Sequence, residues 1–119
     1  NHASVTYWQS HGLEVAAVSN AFNAESSFHP IYSLGGSIAG QALLQLENKL
    51  LDGIVMLGTG MPTLQPIAET IGWKGAPVMS CNLCLAWRAV EALDRKTPSR
   101  DTLETWLHGE GWVTRLKAA

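Results

Sequence analysis

Residues 54–57, Ile-Val-Met-Leu, form an unbroken apolar run that Asp52-Gly53 opens and Gly58 closes. Four residues are too few for a helix, and none of them is polar, so the run reads as a strand with both faces turned to protein. Strands of that kind belong to parallel sheets, whose connecting helices cover both sides. Two further short runs fit the same role, Glu14-Val15-Ala16-Ala17-Val18 and Pro77-Val78-Met79-Ser80.

Between these runs the apolar period changes. Over residues 37–51, Ile38, Ala39, Ala42, Leu43, Leu46 and Leu50 recur at three and four, one stripe on a helix of about four turns. Pro62 is expected at the start of the next helix, where its missing N–H costs nothing. Thr63 can cap that helix, which carries Leu64, Ile67, Ala68 and Ile71 and stops at Gly72. Residues 83–93 form another, apolar nearly all round. Residues 3–11 make a short helix ended by Gly12, and residues 23–35, punctuated by Pro30 and Gly35, read as a loop. Gly35-Gly36-Ser37 lacks the Lys-Ser/Thr ending of a phosphate loop and reads as the start of a helix. Near the end, Ser99-x-x-Thr102 with Asp101 and Glu104 opens a last short helix that Gly109 and Gly111 stop. Strands alternating with helices imply a parallel sheet with right-handed crossovers, hence an α/β class. Residues 1–119 are expected to form one domain, with 94–119 as a C-terminal extension.

Composition narrows the function classes. With 46% hydrophobic and 15% charged residues, this 119-residue chain has little polar surface to spend, and part of its apolar surface is expected to meet a partner. The net charge of −2 is spread without a basic stripe, which gives no ground for nucleic-acid binding. No apolar run approaches a membrane span and no signal segment opens the chain, so a cytoplasmic location is expected. The chain opens on Asn1 rather than Met, and residues ahead of it are expected in the whole protein.

Ligands of an open parallel sheet gather beyond the carboxyl ends of its strands, where helix N-termini and free N–H groups converge. Three segments meet that condition: Ser19-Asn20, Gly58-Thr59-Gly60-Met61-Pro62 and Ser80-Cys81-Asn82. The glycines around Thr59 let a ligand approach peptide N–H groups closely, an anion cradle sized for a carboxylate. The same glycines also suit a plain strand-to-helix turn. Cys81-x-x-Cys84 lies where a dithiol redox motif would lie, yet the short stretch after Cys84 holds no further strands for a thioredoxin-like sheet, and two buried thiols are expected instead. His2, His11, His29 and His108 are scattered, so no metal site is expected. The five tryptophans read as core or interface residues, and the acidic residues mostly as solvated.

The stretches DGIVMLGTGMPTLQPIAE and PVMSCNLCLAWRAVEAL, about two dozen residues apart, resemble the aspartate/glutamate racemase superfamily. The closer likeness is to its maleate isomerase and arylmalonate decarboxylase branch, where the matching stretches read approximately Asp-Ala-Ile followed by Ser-Cys-Thr-Asn-Leu-x-Thr, and Pro-Val followed by Ser-Asn-x-x-x-x-Trp. The likeness spans about residues 12–93. It implies a flavodoxin-like three-layer sheet flanked by helices, about half of a two-domain fold whose active site lies between two α/β halves. It further implies cofactor-independent isomerase, racemase or decarboxylase chemistry beside the carboxylate of a small carboxylic or dicarboxylic acid. The carboxylate would rest on Gly58, Thr59, Gly60 and Asn82, with Ser19, Asn20 and Ser80 at the rim. The family's cysteine falls at Gly58 in this chain, which leaves Cys81 as the candidate thiol and a non-catalytic carboxylate-binding or assembly domain as the alternative. A second half or second subunit, and a homo-oligomer, are the implied partners.

Overall fold

The computed structural model describes residues 2–20, 36–58 and 60–118; the loop expected over 23–35 and Thr59 lie outside the described residues. Among the described residues eight elements follow in order: α1 (His2–Ser10), α2 (Gly36–Leu44), β1 (Ile54–Met56), α3 (Leu64–Glu69), β2 (Val78–Ser80), α4 (Cys81–Leu93), α5 (Arg100–Leu107) and α6 (Val113–Ala118). No helix among the described residues is long and apolar enough to cross a membrane.

Two of the three expected strands form. β1 and β2 pair in parallel, with Ile54 opposite Val78, Val55 opposite Met79 and Met56 opposite Ser80. That register puts Ile54, Met56 and Val78 on one face, where they join Ala39 and Leu43 of α2, Ile67 of α3, Ala76 ahead of β2 and Leu83 of α4 in a single core. Helix α2 packs against α3. The expectation of a strand covered on both faces is corrected: Val55 is 43% exposed and Leu57 equally so.

The strand expected over residues 14–18 is likewise corrected. Residues 13–20 have no regular secondary structure, and the sheet among the described residues has two strands. Two of the five residues in that run are alanine, which contributes little to a pleated surface, and Ala16 and Val18 stay exposed. The three-layer sheet is therefore not formed by the described residues; the fold is mixed α/β with a small parallel sheet.

Helix ends follow from local chemistry, with three adjustments. Helix α2 stops at Leu44 rather than running to 51, because the chain tightens into i→i−3 bonds from Leu46 N to Leu43 O, Glu47 N to Leu44 O and Lys49 N to Leu46 O. Leu46 still packs on the core, whereas Leu50 is fully exposed. Pro62 precedes the N-cap instead of opening α3, which starts at Leu64. The tail carries an unforeseen turn of helix, α6, with Arg115 and Lys117 in its last turn, where cations favour the negative end of the helix.

Gly109 separates α5 from α6 and must be glycine. Its φ is +79°, and a Cβ there would sit 2.5 Å from both Ile71 Cδ1 and Val113 Cγ2. Gly109→Ala is expected to destabilise the protein by about 2 kcal/mol, from left-handed strain and overpacking together. Urea unfolding checks this, and an unchanged midpoint with unchanged slope would exclude it.

Candidate functional site

Parallel pairing makes the two strand ends neighbours. Because Met56 lies opposite Ser80, the turn that begins at Gly58 and the helix that begins at Cys81 leave the sheet from the same edge. Strand spacing of about 4.8 Å then sets the scale of their separation.

One hydroxyl ties the two exits together. Ser80 Oγ accepts a hydrogen bond from the backbone N–H of Leu83 at 3.1 Å, which caps α4. The same oxygen accepts from Thr63 Oγ1 at 2.9 Å. Both side chains are at most 2% exposed. Thr63 N-caps α3 by position, yet its side chain makes no cap bond and spans 17 residues of sequence to Ser80 instead. A strand-end serine reached by a threonine from the neighbouring turn is the arrangement that sequence reading missed at Thr63. The signal was present as a small hydroxyl residue after Pro62, but its partner is not local.

The remaining candidates fall as follows. Gly58 is exposed with φ +99° and open space where a Cβ would be, so its backbone is strained for any other residue without being crowded. Gly60, Cys81 and Asn82 are half-buried, Asn82 as the second residue of α4. Thr59, central to the expected cradle, is outside the described residues. Ser19 donates to Gln45 Oε1 at 2.9 Å, beyond the end of α2, and with no strand before it Ser19-Asn20 is not a strand-end segment.

The thiols also depart from expectation. Cys81 and Cys84 are both free and half-buried rather than buried, on the first turn of α4. Burial pushes the Cys84 thiol above its ordinary range, and the negative charge of an ionised Cys81 adds to the rise. Among the described residues no group of three or more His, Cys, Asp or Glu could hold a metal ion.

One acid defies the solvated pattern. Leu83, Trp87 and Glu91 recur every four residues along the inward stripe of α4. Trp87 Nε1 donates to Thr102 Oγ1 of α5 at 3.2 Å. Glu91 is 4% exposed, and its Oε2 has no hydrogen-bond partner. It lies ten residues past Cys81, about 15 Å along the helix, so it is no part of the strand-end site.

Two shallow cavities lie elsewhere. One of about 390 Å³ is bounded by Ala68, Ile71, residues 108–111, Val113, Thr114 and Lys117. The other, about 350 Å³, sits between residues 49–52 and 74–76, at the amino ends of the strands. Ligands of a parallel sheet belong at the opposite ends, so the strand-end geometry outweighs cavity size here.

Comparison with known proteins found no matching family model, no matching curated protein and no matching solved structure. The likeness to the racemase superfamily therefore rests on the residues themselves.

Two outcomes follow from this geometry. Ser80→Ala removes the cap and strands the Thr63 hydroxyl, and should cost about 2 kcal/mol. Combined with Thr63→Val in a double-mutant cycle read by chemical denaturation, it should show a coupling of roughly 1 kcal/mol; strict additivity would refute the shared hydrogen bond. For Cys84, the raised thiol means the folded state holds its proton where the unfolded chain releases it. Its contribution to stability is present below the ordinary thiol range and falls as pH rises above that range. Alkylation rates of Cys84 against pH should therefore rise later than those of a small thiol. In Cys81→Ser the delay should shrink but persist, because burial is the larger cause.

Proposed function

We propose that the edge formed by the Gly58-Thr59-Gly60 turn and the N-terminus of α4 binds the carboxylate of a small carboxylic or dicarboxylic acid, in a cofactor-independent isomerase, racemase or decarboxylase related to the aspartate/glutamate racemase superfamily. The observation that carries this reading is the in-register parallel pair whose exits are joined by the Thr63 to Ser80 hydrogen bond. A small anion held there would meet peptide N–H groups of a glycine turn and the positive end of a 13-residue helix. Chemistry next to a carboxylate needs that arrangement, since the charge of an enediolate-like state develops on the oxygens the donors already hold.

Gly58 stands where the resemblance calls for a cysteine, and Cys81 begins the adjacent helix. The exposed sheet face at Val55 and Leu57 supports a second α/β half that completes the site, from further residues of the protein or a second copy in a homo-oligomer. Gly58 without a thiol equally favours the rival reading, a carboxylate-binding or assembly domain without turnover.

Incubating the protein in deuterated buffer with a panel of small mono- and dicarboxylates, followed by NMR, separates these. Exchange of the α-proton or loss of carbon dioxide, reduced at least about tenfold in Thr59→Ala, is expected. Carboxylate-induced shifts at Gly60 and Asn82 amides without exchange would establish the non-catalytic domain. Turnover indifferent to Thr59→Ala would remove the site from this edge.

A further inference from the structure

We infer that Cys81 and Cys84 form a reversible dithiol site that exchanges with low-molecular-weight disulfides and closes an intramolecular disulfide across the first turn of α4. The inference is independent of carboxylate chemistry. Both sulfurs belong to half-buried residues on one helix turn, and neither is in a disulfide. Buried thiols would be inert for want of access; half-buried ones are reachable.

Helix geometry fixes what closure requires. Residues three apart on a helix have Cα atoms about 5 Å apart, inside the range a disulfide spans. Their Cβ atoms stand about 5–6 Å apart, whereas a disulfide holds them near 4 Å. The first turn must draw in by about 1–2 Å. That is feasible at a helix start, where no preceding turn resists, and would be costly in mid-helix.

The same turn contains the Ser80 cap on Leu83. Tightening it moves the Leu83 N–H relative to Ser80 Oγ, and Ser80 is bonded to Thr63. Oxidation of the dithiol is thereby coupled to the hydrogen bonds that join the two strand exits.

The order of events follows from the surroundings. Cys81 opens α4 at the positive end of the helix, and burial disfavours the thiolate of Cys84, so Cys81 makes the first attack. Its thiolate sulfur bonds to one sulfur of the small disulfide, the S–S bond breaks, and one thiolate leaves. Cys84 then gives its proton to solvent and attacks Cys81 Sγ, expelling the second thiolate. Two protein thiols are oxidised and one small disulfide is reduced to two thiols.

Mass spectrometry of the whole chain treated with oxidised glutathione tests this. The expected product has lost two hydrogens and carries no adduct. Cys84→Ser should instead retain one glutathione on Cys81, and Cys81→Ser should react at least about tenfold more slowly. Amide spectra of the wild type should show Leu83 shifting on oxidation. Stable glutathione adducts on the wild type, disulfide-linked dimers, or equal rates for the two serine variants would overturn the site. An unmoved Leu83 amide would overturn its coupling to the cap.

Discussion

The hydroxyl of Ser80 holds this structure together at the point where its elements change direction. It ends β2, caps α4 through Leu83 and receives Thr63 from the turn before α3. A buried hydroxyl without partners costs on the order of 1–3 kcal/mol, so each of these bonds also restricts where the other may go. Two strand exits that would otherwise leave the sheet independently are tied together by a single oxygen. The exits of β1 and β2 are neighbours because of the ladder, and they are held at a defined distance because of this bond.

Around that point the sheet is finished on one side only. Ile54, Met56 and Val78 are covered by α2 and α3 together with Leu83. Val55 and Leu57 face outward, and on α4 Leu85 and Leu93 are also exposed, at 68% and 83%. Leaving a Val or Leu in water forgoes about 1–3 kcal/mol relative to burial. A two-stranded parallel ladder is marginal alone, so the covered face carries its stability.

Much of this could be read from the chain, and the failures have physical causes. Ser99 capping α5, Gly12 after α1 and Gly109 after α5 are local signals, complete within four residues, and the structure bears them out. β1 and β2 were legible because strong apolar runs stand between breakers. The run at 14–18 has the same appearance, but hydrophobicity does not reveal whether a free sheet edge exists to receive it. Glu91 misled for a related reason: its stripe with Leu83 and Trp87 was visible, yet charge argued for the solvent side. α6 was readable in principle from Val113 and Leu116 three apart ahead of Lys117. For the candidate site, the strand exits were legible and the helix was expected from residue 83 but starts at Cys81, whereas the Thr63 to Ser80 bond was not legible, since nothing in a sequence separation of 17 encodes their meeting.

The position of the thiols bears on how the strand edge divides its chemistry. The ladder ends at Met56 with Ser80, and beyond that pair one chain runs through Leu57 to Gly58 while the other turns into α4 at Cys81. A thiol at Cys81 rather than Gly58 follows the neighbouring strand, so it is displaced by at least about one strand spacing, ~4.8 Å. Catalytic groups tolerate about 0.5 Å of misplacement, so Cys81 could replace a thiol at Gly58 only if the bound acid moved with it. The glycine turn and the dithiol are better understood as neighbours than as parts of one machine. As proposed, the turn would offer donors to an anion and the dithiol electrons to a small disulfide, and the Ser80 hydroxyl, bonded to Thr63 and to the Leu83 N–H, links the two.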